Sequence, residues 1–506
     1  MLRRTALSLI GSSVLVAATG CAGSGTAKSG QKTFTMSAFP TGNSMDPWKT
    51  QLSQYVAAAT YDTLTHINAD GTVVPWLATS WDYSDATTLV MELRTDVVFT
   101  DGTSFDAAAV KSNIEYAKSA TPSNVAAQPY LSYIQSVDVV SKSKVRFNLS
   151  APQPDLPYGF SQQAGWMVSP TALKNPKTLA DTPVGSGPYV LDKSGTTTNK
   201  TYAFTQNKNY WAAAKWSRFD NLVVQLITDP TASNNAARSG QLDYTIVSAG
   251  TEINGWKIAQ GSASAFFGFT IFDTSGKISK PLGDARVRQA MNYAVDREAI
   301  LKSVLDGQGV TNASTPFGPD SLGYTRNIDS YYTYDVAKAK RLLRQAGYPN
   351  GFSVKVLNNP QWDQMAQALA GYLRKVGIDV QLSNHGDDFV QQVNSGNWAM
   401  ATGLLSVTGL PYSDFTFTMT KSSSMNPLGN SNPKVSAMLA KAVAAGGAEQ
   451  KQLYAQLAEY AAEQAWYVIP ALSSQLHAYN PQVVKVVEPA RAGAPMLYHL
   501  RPVGAE

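Results

Sequence analysis

Thr182-Pro183-Val184-Gly185-Ser186-Gly187-Pro188-Tyr189 is the stretch on which the architecture turns. Prolines cannot donate to a ladder or extend a helix, and glycines admit backbone approaches closed to other residues, so the segment punctuates the chain. It reads as a crossing point between lobes. Upstream, Val145, Phe147 and Leu149 alternate with Lys144, Arg146 and Asn148, as in a strand with one buried face. Downstream, Leu222 to Ile227 is a nearly unbroken apolar run that predicts a strand covered on both sides. Val287, Ala290, Met291, Ala294 and Val295 then recur at helical spacing, with Arg286, Arg288, Asn292 and Arg297 assigned to the other face. A second helix is expected from Asp335, a good N-cap, to Gly347, a good stop, with Ala339, Leu342, Leu343 and Ala346 inward. Others are expected near 363–376, 433–445 and 450–466. Strands and helices alternate instead of falling into blocks, which is the pattern of a mixed α/β protein.

The chain has 506 residues, 44% of them hydrophobic, so it is too long for one compact domain and two or more lobes are expected. A net charge of +5 with no basic run or stripe argues against a nucleic-acid partner. Four scattered histidines and one cysteine offer neither a zinc site nor a disulfide framework, so no metal and no cofactor is expected. No segment after residue 20 is apolar for the roughly 20 residues a spanning helix needs.

The single cysteine is Cys21. It follows a charged start, Arg3-Arg4, an apolar run from Ala6 to Ala18 and the small residues Ala17-Ala18-Thr19-Gly20. That succession is a secretory signal and not an anchor helix. It resembles a bacterial lipoprotein signal, which implies lipidation at Cys21 after removal of residues 1–20. Residues 21–32 then read as a flexible tether. The expected place is the outer face of the cell membrane or the periplasm.

Motifs along the rest of the chain converge. Tyr61-Asp62-Thr63-Leu64, Asp70-Gly71, Pro75-Trp76-Leu77-Ala78-Thr79-Ser80-Trp81 and Leu93 to Thr103 are followed by the 182–189 stretch and Asn209-Tyr210-Trp211. After these come Asp284-Ala285-Arg286-Val287-Arg288-Gln289-Ala290, Ala294-Val295-Asp296-Arg297, Leu373 to Ile378 and Tyr467-Val468-Ile469-Pro470. In number and order they closely resemble the solute-binding proteins of peptide-type ABC importers, extracellular solute-binding family five. The resemblance implies a type II, Venus-flytrap fold of two hinged lobes with a small extra lobe inserted in the first. The expected boundaries are 33–59, 180–268 and 480–506 for lobe I, 60–179 for the extra lobe and 269–479 for lobe II. It implies a monomer that captures peptides or peptide-like solutes and delivers them to a membrane permease and its ATPase.

Each motif also has a structural reading. Asp101-Gly102 suits a tight turn, and Ser104 can cap a helix over 106–118. Tyr61, Trp76 and Trp81 read as core or lobe-packing aromatics, and Arg286, Arg288 and Asp296 as surface or inter-element ion pairs. Enzyme signatures are missing: there is no Gly-x-Ser-x-Gly elbow, Walker loop, His-Glu-x-x-His helix or Cys-x-x-Cys pair. Hence no enzymatic activity is expected.

In peptide-binding relatives an aspartate shortly after a tryptophan in lobe II holds the solute's terminal amine. Here Leu405 stands at the tryptophan and Thr408 at the aspartate, and a hydroxyl cannot offset a buried ammonium as a carboxylate does. Two acids could substitute. Asp273 either faces the cleft as a cation anchor or is a turn acid before Thr274-Ser275-Gly276, and Asp414 is either a loop or cap residue or a ligand. Trp362, Trp398 and Tyr412 lie where relatives contact solutes, as packing aromatics or as flat surfaces for sugars, apolar groups or cations. Met45 completes the candidate set from lobe I. Oligosaccharide, opine-like and metal-chelate solutes remain alternatives on the same scaffold, and an adhesion or signalling lipoprotein is the alternative outside transport.

Overall fold

The computed structural model describes residues 32–38, 44–49, 54–68, 70–119, 127–216, 218–248, 250–312, 314–386, 388–406, 408–419, 426–487 and 497–504. Cys21 lies outside them. An eleven-stranded mixed sheet runs through the described structure, and two of its strands, Lys257–Ile271 and Tyr467–Tyr479, hold it together. These two strands are antiparallel to each other along most of their length. At one end, the second crossing strand pairs with Tyr244–Val247, which leads on to Thr33–Ala38, Asn221–Leu226, Thr201–Gln206 and Tyr189–Thr197. At the other end, the first crossing strand pairs with Met400–Ser406, which leads on to Phe352–Asn358 and Ile378–Asn384.

The ladder between the crossing strands shifts register between Gln260 and Ala263 and again before Ala265. That break falls between the residues tied to the first half and those tied to the second. A bulged, locally unpaired stretch bends more readily than a regular ladder, which makes 260–265 the natural hinge. The expected lobe boundaries at 268 and 479 lie away from this break. Each crossing strand belongs to both halves, so no change of composition marks the passage.

A separate four-stranded antiparallel sheet, ordered Ala78–Asp85, Thr88–Leu93, Lys144–Leu149, Ile134–Ser141, is covered by the helix Ala107–Ser119. Val145, Phe147 and Leu149 are buried there, as their alternation requires. The helix is capped not by Ser104 but by Asp106, whose carboxylate accepts from the Ala109 N–H at 2.9 Å. Ser104 instead pairs with Val98 in an isolated bridge that closes the Asp101-Gly102 turn. Gly102 has φ +86°, the left-handed conformation that favours glycine. The Asn221–Leu226 strand buries only Leu222 and Val224 fully, so its two faces are not equally covered.

In the second half, the helices Ala285–Tyr293, Val336–Gln345 and Asp363–Arg374 form as the periodicity predicts, and Asp335 caps its helix by accepting from Lys338 N–H at 2.7 Å. The long helix Gly447–Gln464 starts earlier than the expected residue 450. One face differs from expectation: Arg288, Asn292 and Arg297 are buried. They bond backbone carbonyls. Arg288 donates to the carbonyls of Gln464 and Leu282, Asn292 to that of Tyr467, and Arg297 to those of Asn312 and Asn292. Burial lowers both guanidinium pKa values to about 10. Arg288 is therefore no surface ion pair, whereas Arg286 does pair with Asp284 at 2.6 Å.

Candidate functional site

Strand direction locates the site. In the first half Thr33–Ala38, Asn221–Leu226 and Tyr244–Val247 run parallel, and Val247 sits opposite Leu476, next to the crossing. Their carboxyl ends therefore face the second half. In the second half Phe352–Asn358, Ile378–Asn384 and Met400–Ser406 also run parallel, and Ser406 sits opposite Ala265, again next to the crossing. Both halves thus turn the carboxyl ends of their parallel strands toward one shared cleft. Loops that leave such ends are where open α/β sheets place ligands, because backbone ends and helix N-termini converge there.

On the first half's side, a cavity of about 130 Å³ opens where Ala38 and Val247 end their strands and Ile227 follows the strand Asn221–Leu226. Ser37, Ser233 and Thr245 form a buried hydroxyl cluster at its wall, with Ser37–Thr245 at 2.7 Å and Ser233–Thr245 at 2.5 Å. Ser233 is delivered by a helix whose N-cap, Asp229, accepts from Ala232 N–H at 2.8 Å. Sequence reasoning missed this cluster, since small hydroxyl residues in strands carry no pattern of their own.

On the second half's side, the loop after Met400–Ser406 carries Thr408, and the helix Pro411–Met419 that follows it carries Tyr412 and Asp414. Asp414 accepts from both the N–H and the hydroxyl of Thr408, each at 2.9 Å, and so shapes the turn into the helix Pro411–Met419. Burial pushes the Asp414 carboxyl up to about 8, with the charge of Asp155 adding to it. Asp155 belongs to the first half, just before the short helix Leu156–Gly159. It reaches across the cleft, where its carboxylate accepts from the Ser413 N–H at 3.0 Å and hydroxyl at 2.8 Å, and burial pushes it up to about 6. Tyr412 donates to the Pro152 carbonyl at 2.6 Å, and Leu410 packs on the first half's core. The two halves are therefore in contact in this structure. No local signal marked Asp155, whose partner is 258 residues away.

The other candidates stand elsewhere. Asp273 lies where the first crossing strand runs out, at the end far from the first half, and it is fully buried. Its two oxygens accept from the N–H groups of Lys277 at 2.9 Å, Ile278 at 2.6 Å and Ser279 at 2.7 Å, with Ser275 at 3.3 Å. Burial raises its pKa, but these donors outweigh it and hold the carboxyl below its ordinary value. Of its two open roles the carboxylate is spent on the turn. Trp362 and Trp398 are half-buried around a satellite core of Phe272, Leu357, Phe389, Val393 and Ala401. Trp362 meets Phe389 edge-on at 5.4 Å and Trp398 meets His385 at 5.6 Å, which are packing contacts. Met45 is buried in the first half's core, its carbonyl accepting from the Tyr61 hydroxyl at 2.8 Å. Of Leu405 the backbone alone is described; it pairs with Phe266.

Four of the motifs quoted from the sequence, those holding Asp62, Trp76, Ser186 and Tyr210-Trp211, meet at one carboxylate away from the cleft. Asp62 is buried and accepts from Trp76 Nε1 at 2.8 Å, Trp211 Nε1 at 2.9 Å, the Ser186 hydroxyl at 2.8 Å and the Tyr210 hydroxyl at 3.1 Å. Gly185 and Gly187 let this happen, since a Cβ on Gly185 would stand 2.0 Å from the Thr60 carbonyl oxygen. The motifs are the seam joining the small sheet's region to the first half.

Two halves on a two-strand hinge, with matching loop surfaces across a cleft, define a hinged solute-binding protein. Residues 72–427 match the profile of the bacterial extracellular solute-binding proteins, family 5, and the chain belongs to that family. Among curated relatives, the glutathione-binding protein GsiB of Pectobacterium atrosepticum is 30% identical over 354 residues, covering 67% of this chain and 66% of the relative. The GsiB of Escherichia coli K12 is 29% identical over 352 residues, covering 67% of each. The alignment thus spans about two thirds of these relatives' length. The fold is shared with the periplasmic binding protein DppA of Helicobacter pylori in complex with the peptide STSA, at TM-score 0.78 and 22% identity over 93% of this chain and 98% of that one. It is also shared with the binding protein AgaA of A. tumefaciens in complex with agropinic acid, at TM-score 0.76 and 22% identity over 94% and 99%. Among the described residues no helix is long and apolar enough to cross a membrane.

Proposed function

We propose that this protein captures a short peptide or peptide-like solute between its two halves and hands it, chemically unaltered, to the permease of an ABC importer. The observation that carries the reading is the shared cleft, onto which the parallel strands of both halves open beside a hinge of two strands. Solute contacts made by both halves exist only when the cleft is closed, so binding shifts the open–closed equilibrium by its differential affinity. Thr408, Tyr412 and the loop after Leu405 form the second half's contribution, and the hydroxyl-walled cavity near Ser37 the first half's. The relatives named for glutathione, a tripeptide thiol, support a peptide-like solute.

With Thr408 at the position of the relatives' aspartate and Asp273 spent on its own loop, the cleft is not built for a peptide amine in the usual way. That favours, as the second reading, a solute without a free ammonium at this point, such as a modified peptide or opine-like compound. Lipidation at Cys21 keeps a monomer at the membrane's outer face, and Cys21→Ser should release it. A thermal-shift screen of glutathione, di- to tetrapeptides, their N-acetylated forms, opines, oligosaccharides and metal chelates tests the reading. Bound solute at a hundredfold excess over Kd stabilises the fold by about 2.7 kcal/mol. Stabilisation by peptides or their acetylated forms supports it, and a response to chelates or sugars alone overturns the solute class.

A further inference from the structure

The cavity at the carboxyl ends of the first half's strands has a chemistry of its own. Ala38, Ile227, Ile246 and Val247 supply carbon to its wall, and its polar side chains are hydroxyls; among the described residues no acid, base or amide lines it. The hydroxyl protons at the wall are already placed. Ser37 donates to Thr245 at 2.7 Å and Ser233 to Ser37 at 3.1 Å, while Thr245 finds Ser233 at 2.5 Å and the Ile246 carbonyl at 3.3 Å. Ser37 and Ser233 therefore offer the cavity lone pairs and no proton. Of the helix residues at the wall, Pro230 carries no N–H and the Ser233 N–H goes to the Asp229 carbonyl at 3.0 Å, so neither is left for an anion.

A carboxylate placed here would face lone pairs, and an ammonium would lose its water without meeting an opposite charge, so either is costly. An uncharged group meets carbon over most of the wall and loses nothing. An apolar cavity of about 150 Å³ takes a benzene ring, so one of about 130 Å³ takes a side chain of roughly four to six carbons. We propose that this cavity is a side-chain pocket for the solute, selecting an uncharged, mainly apolar group at one position and rejecting acidic and basic ones, with Thr228 at its mouth and Ile246 setting its depth. The inference rests on the capture reading and adds to it the class of group that the solute carries into the first half.

The test is isothermal titration of the full chain with di- and tripeptides, free and N-acetylated, in which each position in turn carries Ala, Leu, Phe, Asp or Lys. At one position Leu should bind about tenfold or more tighter than Ala, with Asp and Lys weaker than Ala. Thr228→Phe fills the cavity from an exposed position and should bring the Leu peptide down to the Ala peptide. Ile246→Ala deepens the cavity and should move the preference from Leu to Phe. A charged side chain accepted as well as Leu at every position overturns the pocket, as does a ranking that both variants leave intact. Binding without these preferences removes the pocket and leaves the capture reading standing, whereas no binding by any peptide removes both.

Discussion

Replacing Asp62 by alanine removes the acceptor on which Trp76, Trp211, Ser186 and Tyr210 converge. The four donors are not equally stranded. Trp76 and Trp211 are half-buried and can turn to water, whereas Ser186 is 1% exposed and Tyr210 4%. Two fully buried donors left without partners, at about 1–3 kcal/mol each, give a loss of about 2–6 kcal/mol. In a half of some 250 residues that lowers the melting temperature by about 10 °C, at about 2–4 °C per kcal/mol. Asp62→Asn keeps one acceptor oxygen and turns an amide N–H₂ toward the remaining donors, so it should recover only part of the loss. Burial raises the Asp62 pKa despite its donors. The folded form thus holds the proton to higher pH than the unfolded chain, and the wild type gains stability as pH falls from that raised value toward the ordinary one. Asp62→Ala should lose this gain. Differential scanning calorimetry reads both effects. A fall of less than about 2 °C would refute the claim that the motifs are held by this carboxylate.

Asp273→Ala should cost the second half about 2–4 kcal/mol, since three backbone N–H groups lose their acceptor. Because its carboxyl is held below the ordinary value, the part of that stabilisation tied to its charge is complete above about pH 4 and is lost as pH falls through the folded value, so the gap between wild type and variant should narrow in acid. Solute affinity of the same variant, measured by calorimetry, should be unchanged. Gly185→Ala should destabilise by about 1–3 kcal/mol in a denaturant titration, because its Cβ meets the Thr60 carbonyl oxygen. Asp335→Ala should lose about 1 kcal/mol with its cap, and Asp335→Ser should keep most of it.

Helices and strands were legible wherever one side of an element faces a core. Val145, Phe147 and Leu149 are buried as their alternation predicts, and Leu343 and Ala339 as their spacing predicts. The polar face of Ala285–Tyr293 was not legible, since a buried arginine that bonds carbonyls has the same local pattern as a solvated one. The hinge was invisible for a related reason. A strand shared by two halves shows no break in composition, and only its pairing partners change. The site was the least readable. Asp273 and Thr408 were singled out by resemblance, yet each side chain's work is set by partners that local spacing does not name: the loop 277–279 for Asp273, and Asp414 for Thr408. Asp155 meets its partner only through the closed geometry of two halves.

The central claim, capture without chemistry, is tested by native mass spectrometry of the protein incubated with a defined mixture of short peptides and their acetylated forms. The expected spectrum shows one solute per chain, and denaturation releases that solute at its original mass. A spectrum with no adduct from any member of the mixture, or with a released molecule of altered mass, would contradict it.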